Sequence, residues 1–278
     1  MRDATLRAHQ EIAARSLALI ERDLEGDLRL DALAERAGVS PFHFHRIFGA
    51  IVGEPPAGYV RRLRLERAAL RLKHSRRPVT DIAFQAGYET HEAFTRAFKS
   101  RFGMSPRRFR AEQSPLADGI DVEPRIVCVP PRRIAFVRHV GPYNETQQAF
   151  AKVLAWAGPR GLLRSATLLG VYWDDQTITP PARTRCEVGL LVDDYAVGDG
   201  EVGVRRLPGG DYAVVRHHGS SQDRRRIYDL VYARWLPDRG LEAANAPPIE
   251  VYSTYRGALD ALDVVTSVHV PLAPRKAA

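Results

Sequence analysis

The chain has 278 residues, 45% of them hydrophobic and 27% charged, which is enough for two globular domains. The N-terminus is polar and no apolar run approaches the roughly twenty residues of a membrane span, so we expect neither a signal peptide nor a transmembrane helix. Two cysteines, Cys128 and Cys186, lack paired spacing. This argues against a zinc site or disulfide framework and favours a reducing cytoplasm.

The positive charge is concentrated at one end of the chain. The formal net charge is +8, and residues 1–113 hold 21 Lys and Arg against 14 Asp and Glu. A basic N-terminal part beside a nearly neutral remainder indicates that the first part meets a polyanion and the second does not.

The N-terminal part begins with an amphipathic helix over residues 5–24. A second helix follows from about Asp31 to Ala37, and Gly38 marks a sharp turn. Ser40 is the expected N-cap of a third helix, with Pro41 at its first position. Four apolar side chains recur there at helical spacing and predict a buried stripe: Phe44, Ile47, Phe48 and Ile51.

A second copy of this pattern lies at residues 80–110. Thr80 is the expected N-cap of its first helix, Gly87 is the turn, and Thr90 caps its second helix. Phe94, Ala97, Phe98 and Phe102 form the predicted buried stripe. Each copy closes with Gly-x-x-Pro and an aromatic residue, and the positions match at an offset of 49 or 50. The repetition predicts two helix-turn-helix units.

A strongly helical segment, GYVRRLRLERAALRLKHS, connects the two units. Such a rigid helix would set the two recognition helices about one DNA turn, ~34 Å, apart, so that they enter successive major grooves. This helix carries several arginines, for which two interpretations remain open: a solvated basic face, or contact with DNA phosphates. They are Arg61, Arg62, Arg64, Arg67 and Arg71.

Residues 8–112 resemble the AraC/XylS family of bacterial transcription regulators. The resemblance is carried by DIAFQAGY, F-x-R-x-F-K at 94–99 and G-x-S-P-x-x-F-R at 103–110. It implies that the second helix of each unit reads bases in double-stranded DNA. The base readers that it implies are Phe42, His45, Arg46, His91, Glu92, Thr95 and Arg96.

The chemistry of these side chains fits base recognition, with alternatives at two places. Arg46 and Arg96 suit bidentate pairing with guanine or a clamp on phosphate. Phe42 suits contact with a thymine methyl group, or it is a partly buried aromatic. His43 and His45 form an H-x-H pair without further ligands nearby, so no metal site is expected.

The remainder of the chain predicts a linker at 113–123 and an α+β domain at 124–274. Two series of strand, helix, strand and strand recur at an offset of 78–80, with VRHVGPY and VVRHHGS in matching places. Two such repeats would pack about a pseudo-twofold axis around a groove, which is a common place for a small-molecule pocket.

Glu250 is the candidate anchor of this groove. A carboxylate inside an aromatic groove needs a proton or a cationic partner, and a cationic lipophilic ligand would supply that partner. The alternative is a solvent-facing glutamate on a half-buried strand.

Residues 122–273 are similar to the GyrI-like effector-binding domain, through VRHVGPY, GDYAVVRHHGS, RWLPDRGL and PPIEVY in that order. The resemblance implies that Glu250 lies in an aromatic pocket that meets cationic drugs. The ligand-binding set that it implies is Glu250, Trp173, Tyr143, Trp235 and Tyr252. The order of the two halves resembles the Rob-type regulators.

Together these features predict a multidomain protein whose all-α N-terminal domain, residues 1–112, holds two helix-turn-helix units. The α+β C-terminal domain is built from two strand-helix-strand-strand repeats around a groove. The predicted function is a DNA-binding transcription regulator, not an enzyme and without a cofactor, that senses a small molecule. RNA polymerase is a further candidate partner and a membrane is not. Two alternatives remain for the C-terminal domain, a hydrolase using Glu250 and a protein-interaction module with a degenerate pocket.

Overall fold

A computed structural model describes residues 2–112, 122–218, 221–252 and 265–274. The chain divides into two compact units, residues 1–113 and 114–278. Most of the predicted linker, 113–123, falls outside the described residues. No described helix combines the length and apolar character that a membrane-spanning helix requires.

The described part of the first unit is helical throughout. Its helices are α1 (Arg2–Arg22), α2 (Leu30–Ala37), α3 (Pro41–Val52), α4 (Pro56–His74), α5 (Val79–Gln85), α6 (His91–Phe102) and α7 (Pro106–Glu112).

Local capping explains where the two helix-turn-helix units turn. Gly38 and Gly87 follow α2 and α5 at φ of 70° and 79°, a region that glycine adopts without steric cost. The Ser40 hydroxyl accepts a hydrogen bond from the backbone N–H of His43 at 3.3 Å. The two predicted turns and the Ser40 cap are therefore confirmed.

The cap of α6 is confirmed and that of α5 is wrong. The Thr90 hydroxyl accepts a hydrogen bond from the N–H of Ala93 at 3.2 Å. Thr80 was the expected cap of α5, but that helix already begins at Val79 and Pro78 holds the cap position without a side-chain hydrogen bond. Pro78 is itself the extended residue before the helix, as its fixed φ allows, so α5 starts two residues earlier than predicted.

Phenylalanines form the core beneath both recognition helices. Phe44 and Phe48 are fully buried among residues of α1 and α2, including Ile20 and Leu33. Ile51, predicted to join this stripe, is 39% exposed, because Val52, one helical turn after Phe48, is the residue that packs against this core instead. In the second helix-turn-helix unit, Phe98 packs edge-on against Phe109 of α7, with ring centroids 5.3 Å apart.

The second unit of the chain is an antiparallel sheet with helices. Its strands are β1 (Arg125–Val129), β2 (Arg132–Val140), β3 (Leu168–Tyr172), β4 (Arg185–Val192), β5 (Gly203–Leu207), β6 (Gly210–His218), β7 (Ile249–Tyr252) and β8 (Val265–Pro271). Its main helices are α8 (Gln147–Ala157) and α9 (Ser221–Leu230), and α9 continues through a π-helical turn, Val231–Trp235, into the short α10 (Leu236–Asp238).

The strand order β1-β6-β8-β7-β3-β4-β2-β5 places β7 and β3 side by side at the centre of the sheet. Both helices pack on one face, α8 over β2, β3 and β4 and α9 over β6 and β8. A separate apolar cluster, which includes Ile134, Leu169 and Ile249, lies on the other face. Because side chains alternate along a strand, each position on β3 or β7 is assigned to one face or the other.

Candidate nucleic-acid interface and ligand site

Helix α3 exposes the three side chains that the sequence predicts on its outer face. Phe42 is 73% exposed, so the partly buried alternative for this residue is wrong. The Arg46 guanidinium lies 5.8 Å from the centroid of the Phe42 ring, within cation–π range. His45 is exposed as well. A planar cation stacked on an exposed ring forms a patch that is suited to the edges of bases.

Helix α6 presents a comparable face with one difference. Glu92 and Arg96 are exposed, and His91, the first residue of the helix, is half-buried. Thr95 is also half-buried, and its hydroxyl oxygen is fully buried with no hydrogen-bond partner among the described residues. The predicted outward-facing hydroxyl of Thr95 is therefore not observed in this structure.

His43, next to the predicted base-reading residues, contacts α1. Its ring meets the ring of His9 edge-on, with centroids 5.4 Å apart. Within the described ranges no group of three or more His, Cys, Asp or Glu side chains is placed to hold a metal ion.

Most arginines of α4 form hydrogen bonds or ion pairs within the first unit. Arg62 donates to Glu54 and Glu66, with Nε 3.0 Å from Glu54 Oε1 and Nη1 3.2 Å from Glu66 Oε2. Arg64 donates through Nε to the carbonyl oxygen of Leu24 at 2.8 Å.

Arg71 forms an ion pair with Glu25 at 2.7 Å. Arg61 is exposed, whereas the other four arginines of α4 are partly buried. A continuous phosphate-binding face along α4 is therefore not what the structure shows.

Glu250 is buried at the centre of the second unit. It lies on β7 opposite Gly170 of β3, and 4% of its surface is exposed. Its Oε1 accepts a hydrogen bond from the Tyr228 hydroxyl at 2.9 Å, and its Oε2 accepts one from Tyr252 at 3.0 Å. The alternative of a solvent-facing glutamate is therefore wrong.

Arg224 supplies the cation that a buried carboxylate requires. Its Nε lies 3.2 Å from Glu250 Oε2, and the two side chains are 12% and 5% exposed. Burial by itself lowers the pKa of Arg224, but the Glu250 carboxylate, together with Tyr252, Tyr172 and Tyr228, raises it above the usual value. The site thus contains a charged pair and not an isolated charge.

A third tyrosine, Tyr172, extends this series of hydrogen bonds. The hydroxyls of Tyr172 and Tyr252 are 2.6 Å apart, and because Tyr252 donates its single proton to Glu250, it accepts from Tyr172. Gly170 makes this arrangement possible, since a Cβ there would lie 2.7–2.9 Å from atoms of the Tyr172 ring. Burial, followed by the nearby Glu250 charge, raises the pKa of Tyr172, Tyr228 and Tyr252 well above the usual value. All three are therefore neutral donors at physiological pH.

The ring of Tyr143 lies beside these hydrogen-bonded tyrosines, but its hydroxyl bonds to backbone carbonyl groups. Its ring meets that of Tyr172 edge-on at 4.9 Å, while its hydroxyl contacts the carbonyl oxygens of Asp174 and Arg185 at 2.9 and 3.0 Å. Asp174 and Arg185 form a buried bidentate ion pair, with Nε–Oδ2 and Nη2–Oδ1 distances of 2.8 and 2.7 Å. Tyr143 therefore contributes a ring to the site, and its polar group holds the β3–β4 connection.

The structure separates one tryptophan of the predicted ligand set from Glu250. Trp173 packs with the cluster on the opposite face of the sheet, where Arg205 lies 6.0 Å from its ring. Strand alternation therefore directs Trp173 away from Glu250, and that assignment is corrected. Trp235 belongs to the apolar core beneath α9, against which Tyr228 also packs, and its role as a ligand residue stays a prediction.

Two contacts of Glu250 were absent from the predicted set. Arg224 and Tyr228 are four residues apart on α9, so they lie on the same side of the helix. That spacing is visible in the sequence, but which strand the helix covers is not.

These features define a class of protein, a two-unit protein with paired helix-turn-helix elements followed by an α+β domain with a buried charged site. The family model described as a GyrI-like small molecule binding domain matches residues 122–272, and a helix-turn-helix domain model matches residues 33–112. The chain therefore belongs to the GyrI-like family and carries an AraC-type helix-turn-helix domain in its first unit.

Several regulators are similar to part of the chain. Transcriptional regulator Rob of Salmonella typhimurium is 36% identical over 104 residues, which are 37% of this chain and 36% of that protein. The HTH-type transcriptional activator AarP of Providencia stuartii is 33% identical over 115 residues, 41% of this chain and 85% of that protein. Regulatory protein SoxS of Escherichia coli is 31% identical over 103 residues, which are 37% of this chain and 96% of that protein. The chain thus spans about a third of the length of the Rob relative that it matches.

Proposed function

We propose that this protein is a sequence-specific DNA-binding transcription regulator. The observation that carries the proposal is the pair of helix-turn-helix units, in which α3 and α6 are capped alike and present exposed Arg46 and Arg96 at the same helical position. Support comes from similarity to AarP and SoxS, which are named as a transcriptional activator and a regulatory protein.

The exposed side chains divide into two recognition chemistries. Arg46 and Arg96 suit the N7 and O6 acceptors of guanine in the major groove, and Glu92 suits the amino group of cytosine. Phe42 suits the methyl group of thymine and, through its contact with Arg46, orients the guanidinium. Both helices would then enter the groove through their N-terminal turns.

The direct test is selection of bound duplexes from a random pool by the full chain, followed by affinity measurements on the selected sequence. Arg96→Ala should weaken specific binding by about 1–3 kcal/mol if the side chain reads a base. Arg107→Ala, which removes the same charge from an exposed position on α7, is the matched control. An equal loss on selected and random duplexes would show that Arg96 contacts phosphate and does not read a base.

For the second unit we propose that a small-molecule effector binds at Glu250. Glu250 and Gly170 lie on the central strands β7 and β3, and both α8 and α9 pack on their side of the sheet. A carboxylate next to several aromatic rings favours a cationic lipophilic effector. The proposed ligand residues are Glu250, Tyr252, Tyr228, Tyr172 and the ring of Tyr143.

The hydrolase alternative has less support from the site. Glu250 is already engaged by Tyr228, Tyr252 and Arg224, so a substrate would have to reach the carboxylate past these three side chains before it could act as a general base. Turnover of lipophilic electrophiles by the wild-type chain, lost in Glu250→Gln, would restore that alternative. A protein-interaction role would be favoured if Glu250→Gln lost no affinity for any ligand.

Two further expectations remain predictions. The regulator role predicts a cytoplasmic protein and contact with RNA polymerase, and no described residue tests either one. Co-purification of the polymerase with the DNA-bound chain would be the measurement for the second.

A further inference from the structure

Glu250 already has a cation of its own, and this affects which ligands reach it. Arg224 Nε lies 3.2 Å from Glu250 Oε2, in a position where a ligand cation would make its closest approach to that oxygen. The remaining contacts of the carboxylate come from the neutral hydroxyls of Tyr228 and Tyr252. A cationic ligand at Glu250 therefore competes with a residue of the protein itself.

The pair is enclosed, so the two cations cannot share the carboxylate at low cost. The side chains of Arg224 and Glu250 are 12% and 5% exposed, and like charges repel strongly where water is excluded. Arg224 Nη1 is also buried and has no hydrogen-bond partner among the described residues. Arg224 is thus bound to Glu250 through one edge of its guanidinium and is not held by a second acceptor described in the structure.

We propose that Arg224 is a built-in competitor, and that cationic effectors bind Glu250 only after displacing its guanidinium. This inference rests on the proposed effector site. The binding-competent form is then the fraction of molecules in which Arg224 has left Glu250, and the apparent dissociation constant is raised by the inverse of that fraction. Since α9 carries both Arg224 and Tyr228, displacement changes the contacts of one helix first.

The test compares the full-length wild-type chain with Arg224→Met, Glu250→Gln and the double variant. The probes are benzyltrimethylammonium, tetraphenylphosphonium and neopentylbenzene, which is the uncharged carbon isostere of the first. Calorimetric titrations are run at pH 7 and about pH 8.5, because a buried carboxyl without its cation favours the protonated form. Arg225→Met, on the same helix but exposed, is the matched control for the loss of one positive charge.

If Arg224 competes, Arg224→Met should bind the cations about tenfold or more tightly than the wild type, as expected for an open form of ~10% or less. The gain should vanish in the double variant and be absent for the uncharged isostere and for Arg225→Met. Arg224→Lys keeps a cation and should remain near the wild type. Arg224→Gln carries the same test if the methionine variant does not fold.

Two failures are distinguishable. If the wild type binds the cations and neither Arg224→Met nor Arg224→Gln tightens binding at either pH, the competitor role is overturned while the effector site stands. If no variant binds either cation, the proposal of a cationic effector falls together with the inference.

Discussion

Glu250 is held by donors from two elements, and this decides its chemistry. Arg224 and Tyr228 come from α9, while Tyr252 lies two residues along the same strand as Glu250. Removal of one partner from a buried ion pair leaves an uncompensated charge, which costs more than the pair itself contributes. A substitution at any one of these residues would therefore change the hydrogen bonds or the charge balance of the others.

His269 illustrates a second buried group whose environment sets its charge. It lies on β8 with its ring edge-on to Tyr212 at 6.2 Å. Burial, followed by the nearby Arg132, lowers the pKa of His269 to about 4. An unfolded chain would bind a proton on this residue near pH 6.5, so the folded form loses stability as the pH falls from about 6.5 toward 4.

We expect this residue to remove up to about 3 kcal/mol of the free energy of unfolding over that range. His269→Gln should flatten the pH dependence, and Arg132→Ala should flatten it less, since Arg132 is the smaller cause. All three tryptophans lie in the second unit, so their fluorescence during urea unfolding reports on it. Identical pH profiles for the wild type and His269→Gln would contradict this account.

At the scale of elements, α4 is a structural connector fixed by ion pairs. Glu66 of α4 is buried and accepts from Arg62 of the same helix at 3.2 Å and from Arg101 of α6 at 2.8 Å. Arg110 of α7 donates to the carbonyl oxygens of Leu72 and Arg77. These contacts attach the second recognition helix and its successor to α4.

Glu66→Ala should therefore weaken the first unit by about 3 kcal/mol, because Arg101 loses its carboxylate partner and Arg62 keeps only Glu54. Glu25→Ala removes an exposed partner of Arg71 and should cost less than about 1 kcal/mol. Denaturation followed by circular dichroism gives the comparison, and hydrogen exchange of α6 shows whether that helix loosens. Equal effects of the two substitutions would mean that Glu66 does not stabilise the contact between α4 and α6.

At the scale of the whole molecule, the charge asymmetry predicts salt-dependent DNA binding. Each phosphate neutralised by Lys or Arg contributes about −0.9 to the slope of log K against log salt concentration. Of the α4 arginines Arg61 is exposed, so α4 can add phosphate contacts chiefly there.

Arg61→Ala should make the salt slope shallower by about 1 if that side chain contacts a phosphate. Arg234→Ala, an exposed arginine of the second unit, should leave the slope unchanged. Affinities measured between 50 and 200 mM salt provide the test. A flat salt profile for the wild type would contradict the role assigned to the basic unit.

The accuracy of sequence-based prediction varied with the range of the interaction involved. Gly38, Gly87, Ser40 and Thr90 were placed correctly, because turns and caps depend on residues three or four positions apart. The cap predicted at Thr80 lies two residues earlier, at Pro78. Ile51 was predicted in the buried stripe, but Val52, the next residue, packs there instead.

The sequence by itself determined the two helix-turn-helix units and the α+β character of the second unit, and it singled out Glu250 as a candidate. Local periodicity, capping and motif order carry that information. Only the tertiary structure decided that Arg224 and Tyr228 reach Glu250, that Trp173 lies on the opposite face, and that Arg62 and Arg64 serve the interior. The physical reason is that burial and charge pairing depend on which elements pack together, and in this chain such partners are up to 80 residues apart.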